Sequence, residues 1–356
     1  MELQPPSNTP EPGTPLSSPN SPRPVTKIDH DTLAREIVRA MRGDSTQRDL
    51  SQKLGYSFNQ VGKWESGSTH ISWDDFVKLA TLEGHEIEKH FRRIFWSFVG
   101  EFNSKAVINY FLTDHRFIQR ALASSTRTIR RLKAGESHVM LADVQRLIAS
   151  KPSLLMGWLE GFVDPSLLPE VQSFYAWHQQ CIDLVAANPL AVFVKAAIEL
   201  DVYKALKKHD DDFVARHATC STQEARTTLK ALLELGCVEF DGTRYTSQGD
   251  CFSFGSLANT RLKGLTRYST GLTAERYLTV PSGAPAQDWI NPSVSSVRVR
   301  PMSKEASGKV LELVEKFHRD VAEIVDNDEG ETTNVQILLM HFFASVANAP
   351  AKPSSN

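Results

Sequence analysis

Apolar residues recur at helical spacing along most of this chain. From Asp29 onward, Leu33, Ile37 and Met41 fall four apart with Ala34 and Val38 beside them, which predicts a helix. Asp44-Ser45 is expected to end it and to cap the next, over about 46–54, which turns Leu50 and Leu54 inward. Gly55-Tyr56-Ser57 forms a turn, with Gly55 suited to a left-handed residue and Ser57 to an N-cap. A third helix carries Val61 and Trp64 on one face and stops at Gly67; a fourth starts at Ser72 and uses Phe76, Leu79 and Ala80.

The pattern then returns. Shifted by 68 positions, residues 45–81 land on 113–149 without a gap. Leu54 meets Leu122, Ser57 Ser125, Gly67 Gly135, His70 His138, Asp75 Asp143 and Leu79 Leu147. Val61 and Ile129, Ile71 and Val139, Phe76 and Val144, and Lys63 and Arg131 match in kind. One supersecondary unit is used twice. Between the copies lies an apolar, aromatic run (Phe91, Ile94, Phe95, Trp96, Phe98, Phe102, Tyr110 and Phe111 among others), whose spacing favours packing of the two units over a ligand pocket.

Thr46-Gln47-Arg48-Asp49-Leu50 and Leu54-Gly55, then Ser57, then Val61-Gly62-Lys63-Trp64-Glu65-Ser66-Gly67, resemble the phage-repressor (XRE-type) helix-turn-helix over some fifty residues. The resemblance implies DNA binding: Gln47 would hold a phosphate, and Phe58, Asn59, Gln60 and Lys63 would face the bases. Phe58 departs from the polar residue usual there; it would touch a thymine methyl or mark a copy turned to packing. The second copy keeps the scaffold and changes its chemistry. Thr126, Arg127, Thr128, Arg130 and Arg131 point outward around Ile129 and Leu132, with Lys133 following. Arginine forks suit guanine edges and phosphates alike. His115 replaces the Gln, and Ala123 replaces the turn Gly, a poor residue for a left-handed position.

Helical spacing resumes after Pro152 through Trp158 and again over 170–207. Residues 213–217 read as a short helix, with Asp210-Asp211-Asp212 as an acidic N-terminal cluster. Ser221 and Glu224 form a capping box for a helix of about 222–235 with Ala225, Leu229, Leu232 and Leu233 inward. Gly236 stops it, and an Asp241-Gly242 turn joins two short strands. Helix, turn, helix and hairpin resemble a winged helix, a module that contacts DNA or serves dimerisation; the mixed charge of Gln223, Glu224, Arg226, Thr227 and Lys230 argues against DNA contact here. A helix near 257–279, a strand-like run at 294–299, an amphipathic helix at 303–325 and an apolar strand at 335–343 suggest a small α/β domain. From about 170 to 346 the chain resembles an uncharacterised domain found behind helix-turn-helix units in bacterial regulator-like proteins.

Composition sets bounds on this picture. The 356 residues are 41% hydrophobic, enough for several cores, and carry a net charge of −2. That balance counts against a nonspecific nucleic-acid coat, so any phosphate attraction has to come from a local patch. One exists: Arg116, Arg120, Arg127, Arg130, Arg131 and Lys133 occur with no acid between them. The bland reading is a solvated helix face; its place at a repeat-matched turn favours DNA. The opening Pro/Ser-rich residues 1–27 read as a disordered arm and lack the apolar run of a secretory leader. Four scattered cysteines fit a reducing cytoplasm. Two His-x-x-Cys pairs, His178/Cys181 and His217/Cys220, fall short of a zinc signature. Asp326 to Glu331 lacks the closing ligand of a calcium loop, Ile337 standing at that place, and reads as a solvated turn. No phosphate-cradling glycine loop or catalytic elbow is present, so no cofactor or catalytic residue is expected.

The expectation is a mainly α chain with tandem lambda-repressor-like helix-turn-helix units, a winged-helix module and a small α/β domain. The expected divisions are 1–27 (arm), 28–83 (first unit), 84–152 (connecting helix and second unit), 165–256 (winged-helix region), 257–346 (α/β domain) and 347–356 (tail). The expected function is a cytoplasmic, homodimeric bacterial transcriptional regulator binding double-stranded DNA, not an enzyme. It would not associate with a membrane, and its C-terminal region would either dimerise or sense a signal, an unknown effector or protein partner. The alternative is an interaction protein that keeps the helix-turn-helix folds but does not read DNA.

Overall fold

The computed structural model describes residues 28–95, 98, 101–111, 122, 126–149, 152–248, 252, 263–279, 304–326 and 328–332. These residues are mainly helical, and among them the only sheet is a two-stranded ribbon. Among them, too, no single helix is long and apolar enough to cross a membrane.

The first five helices form one packed unit. Helix α1 (His30–Arg42) starts where the Asp29 carboxylate accepts from the amides of Asp31 and Thr32, and it buries Leu33, Ile37, Val38 and Met41. Helix α2 (Gln47–Lys53) is capped by Thr46, one residue beyond the expected Asp44-Ser45. Gly55 makes the following turn at φ +89°, as its sequence position requires. Helix α3 (Gln60–Ser66) is capped by Asn59, not by the expected Ser57. The chain stays non-helical two residues longer because the Asn59 side chain can reach the Gly62 amide. Gly67 ends α3 in the left-handed conformation, and Ser72 caps α4 (Trp73–Leu82). Helix α5 (Ile87–Ile94) completes the unit.

A second unit follows with α6 (Ser104–Phe111), α7 (Thr126–Ala134), α8 (Leu141–Ile148) and α9 (Pro152–Leu159). The 68-residue shift carries α3 onto α7 and α4 onto α8, and it lays α5 across α9 and the end of α1 across α6. The repeat therefore runs past both ends of the stretch in which side chains match. Residues 112–121 and 123–125, with the expected positions of His115, Ala123 and Ser125, lie outside the described residues.

The two units meet along their matched segments. Ser72 and Met140 form an isolated antiparallel bridge. The Trp73 amide donates to the Val139 carbonyl at 2.8 Å, and the Leu141 amide donates to the Ile71 carbonyl at 3.1 Å. Beside the bridge, fully buried Trp73 and Trp158 lie nearly parallel with ring centroids 6.4 Å apart, and Phe76 and Phe162 pack onto Trp158. Nε2 of His90 on α5 bonds to the carbonyls of Gly157 (3.1 Å) and Trp158 (3.0 Å) on α9. Gly161 makes room for the same imidazole, since a β-carbon there would lie 2.0 Å from it. Of the aromatic residues between the copies, Phe91, Phe95 and Phe98 are buried and Phe102, Tyr110 and Phe111 pack partly buried against them, as their spacing predicts; Trp96 lies outside the described residues.

Beyond a single turn at Pro165–Leu167, helices α10 (Gln172–Ala187), α11 (Leu190–Glu199), α12 (Asp201–Lys204), α13 (Asp211–Ala218) and α14 (Thr222–Glu234) lead into strands β1 (Val238–Phe240) and β2 (Tyr245–Ser247). The strands pair antiparallel with Val238 opposite Ser247. Asp210 caps α13, and the Ser221–Glu224 capping box starts α14. Ala225, Leu229 and Leu232 point inward, but Leu233 is 39% exposed: one residue past Leu232 is 100° round the helix, off the buried stripe. Two further helices, α15 (Lys263–Thr279) and α16 (Lys304–Asp326), are present. The strand-like runs at 294–299 and 335–343, on which an α/β domain was inferred, lie outside the described residues. The turn after α16 is tied to the fold as well as solvated. The Asp201 amide at the start of α12 donates to the Thr332 carbonyl, and the Thr332 amide donates back to the Asp201 carboxylate, holding that carboxyl down at about 2.

Candidate nucleic-acid interface

In the first unit, the turn between α2 and α3 is held by a line of side chains. Arg42, from the end of α1, donates from Nε to Oε1 of Glu65 at 2.6 Å. The other oxygen of Glu65 accepts from Nε2 of Gln47 at 2.7 Å. Oε1 of Gln47 accepts in turn from Nδ2 of Asn59 at 3.2 Å, and Oδ1 of Asn59 takes the Gly62 amide at 2.9 Å. Gly62 lies where it does for want of a side chain, since a β-carbon there would sit 2.4 Å from Nδ2 of Asn59. Glu65 is buried, so its two charge-assisted bonds offset the cost of taking the carboxylate from water.

This arrangement involves two residues given roles by the resemblance. Gln47 lies half-buried at the start of α2, and its amide nitrogen donates one proton to Glu65. Asn59 is exposed, yet its side chain is spent capping α3 and bracing Gln47. Gln60 donates to Thr69 at 3.3 Å. Exposed beside them are Phe58, just before α3, and Lys63 on it. Phe58 is 50% exposed, and Nζ of Lys63 stands 4.4 Å over its ring, a contact worth about 0.5–1 kcal/mol at such a site. The sequence did not reveal the part of Glu65 and Arg42. The one signal was Glu65 itself, a charged residue one position after an inward-facing Trp and thus beside the buried stripe.

In the second unit, α7 buries Ile129 and Leu132 and exposes Arg127, Thr128, Arg130 and Arg131. Lys133 is half-buried, and Thr126 opens the helix. Arg131 makes a long 4.0 Å ion pair with Glu136, both groups largely in solvent, which contributes little. This face carries cationic forks and no acid of its own between Thr126 and Ala134. Exposed guanidiniums on one helix face are suited to phosphates or to guanine edges.

The other flagged residues do not gather. His178 and Cys181 lie buried on α10; burial pulls the His178 imidazole down to about 4, and Sγ of Cys181 lies 3.6 Å from Sγ of Cys237. His217 bonds to the Phe213 carbonyl and stacks on the Phe213 ring. Among the described residues no three His, Cys, Asp or Glu side chains come together in a group that could hold a metal ion. On the face of α14, Arg226 is paired with Asp211 at 2.8 Å and Lys230 with Glu234 at 4.0 Å.

No family model matches this chain, and neither a curated protein nor a solved structure is detectably similar to it.

Proposed function

We propose that this protein is a DNA-binding transcriptional regulator of bacterial type, working in the cytoplasm, with two helix-turn-helix units of the phage-repressor kind. Helices α2 and α3 are the first pair; α7 is the reading helix of the second. The observation that carries this reading is the arginine face of α7, where Arg127, Arg130 and Arg131 are all exposed at repeat positions matching α3. Helices α11, α13 and α14 with the β1–β2 hairpin form a winged helix whose charges are largely self-paired. It and the C-terminal helices serve dimerisation or sensing of an effector or partner protein, and no catalytic step is assigned.

Changing Arg127, Arg130 and Arg131 together to Gln is expected to weaken duplex binding and to flatten its salt dependence. Each lost phosphate contact takes about 0.9 off the slope of log K against log salt. An unchanged affinity and slope, measured by fluorescence anisotropy over a salt series, would remove the assigned role. A second reading rests on Phe58: a half-exposed aromatic on the first reading face, beside residues bound into the scaffold, suits a protein partner. A gel shift with mixed genomic fragments at moderate salt separates the two, since only the first retards the duplex.

A further inference from the structure

The contact between the two units is reciprocal at the level of single residues. Positions 71, 72 and 73 of the first unit correspond under the 68-residue shift to 139, 140 and 141 of the second. Ser72 pairs with Met140, its own counterpart. Residue 73 donates to 139, and the counterpart of 73, residue 141, donates to the counterpart of 139, residue 71. A contact in which i meets j and j meets i is the mark of a two-fold axis. A second pair of counterparts also meets: His90 bonds to the carbonyl of Trp158, 68 positions away. The flanking contacts correspond helix to helix and not residue to residue. Asp31 of α1 meets Arg146 of α8 at 2.5 Å, while Ser104 of α6, the counterpart of α1, meets Asp74 of α4, the counterpart of α8. One chain thus contains what a symmetric dimer of such units would otherwise build from two.

The helices related by this axis are unlike. Where α3 and the turn before it have Phe58, Asn59, Gln60, Gly62 and Lys63, the second unit has Thr126, Arg127, Thr128, Arg130 and Arg131. In symmetric repressors the palindrome of the operator mirrors the two-fold of the protein. Here the scaffold keeps the two-fold and the side chains break it. Resting on the DNA-binding reading above, we infer that one copy of this chain occupies one duplex site composed of two unlike half-sites in inverted orientation. Lys63 and its neighbours contact one half; Arg127, Arg130 and Arg131 contact the other. The spacing is fixed by the backbone bridge between the units. Were two chains to join through their C-terminal regions, each would still hold its own composite site.

The test is selection of binding sequences from random duplexes with the full-length chain, followed by native mass spectrometry on the selected site. The expected motif has two dissimilar halves, filled by one chain per site. Five base pairs inserted between the halves, about half a helical turn, should lower affinity at least tenfold. Lys63→Ala should relax preference in one half alone, and Arg127→Ala with Arg131→Ala in the other alone; all three residues are exposed, so folding is not at stake. A true palindrome filled by two chains, a direct repeat, or both variants acting on the same half would overturn the inference while leaving DNA binding intact. Enrichment of no duplex at all would overturn the regulator reading itself.

Discussion

Five positions that lock the turn of the first unit have been replaced together in the second. Arg42, Gln47, Asn59, Gly62 and Glu65 correspond to Tyr110, His115, Arg127, Arg130 and Lys133. In the first unit these residues bond to one another, Gly62 leaving the room, and the outer face keeps little beyond Phe58 and Lys63 for a partner. In the second, the long cations that replace Asn59 and Gly62 stand in solvent. The difference teaches that internal bracing and outward contact draw on the same positions in this scaffold. A unit that spends its side chains on holding the turn has fewer to offer a ligand.

The largest effects are expected where the two units meet. Trp73→Ala removes a fully buried ring that touches Phe76, Phe91, Phe102 and Trp158, and should cost about 3–5 kcal/mol. Its counterpart Leu141→Ala, equally buried but smaller, should cost about 2–4 kcal/mol. Urea unfolding with matched m-values would measure both; a loss below 1 kcal/mol for Trp73→Ala would mean that the units are not packed through this ring.

Acid should act next, and it separates the junction from the rest of the chain. Burial, with the charge of Arg146 adding to it, pulls His30 down to about 4, and burial alone does the same to His178. His90 is lowered too, first by burial; its Nδ1 takes a hydrogen bond from Arg93, so protonation there would lose that bond and set two cations together. A folded-state value below the unfolded one means that the unfolded chain binds the extra proton. Stability is therefore complete above about pH 6.5 and falls as the pH drops toward 4. For buried His178 the loss by pH 4.5 is about 2–3 kcal/mol. Thermal unfolding from pH 7.5 to 4.5 should show the decline in the native chain and a shallower one in His178→Leu, the remainder belonging to the junction. A flat profile would refute it.

The smallest effect bears most directly on the two faces. Glu65→Gln places an amide donor against Arg42 or Gln47 and should cost about 1–2 kcal/mol. Arg131→Gln, in solvent and paired only at 4.0 Å, should stay within about 0.5 kcal/mol. Equal losses for the two would erase the distinction between a braced and an open turn.

Much of this fold was legible because its signals are local. Leu50, Val61 and Trp64 repeat at helical spacing, Gly55 and Gly67 take left-handed backbone, and Ser221 with Glu224 forms the capping box its spacing predicts. What escaped depends on distance along the chain. Asn59 rather than Ser57 caps α3, and both residue types are good caps, so pattern could not choose between them. The engagement of Gln47 depends on Glu65, 18 residues away. The two-fold pairing of the units is made partly by peptide groups, which every residue has, and therefore leaves no mark in composition.

That last property has a consequence for how such a chain can change. The hydrogen bonds that join Ile71 to Leu141 and Trp73 to Val139 belong to the main chain, indifferent to which side chains flank them. Substitutions on the outer helices can accumulate in one half without disturbing the bridge between the two. Two units joined in this way are free of the obligation, binding on any pair of identical subunits, to change in step.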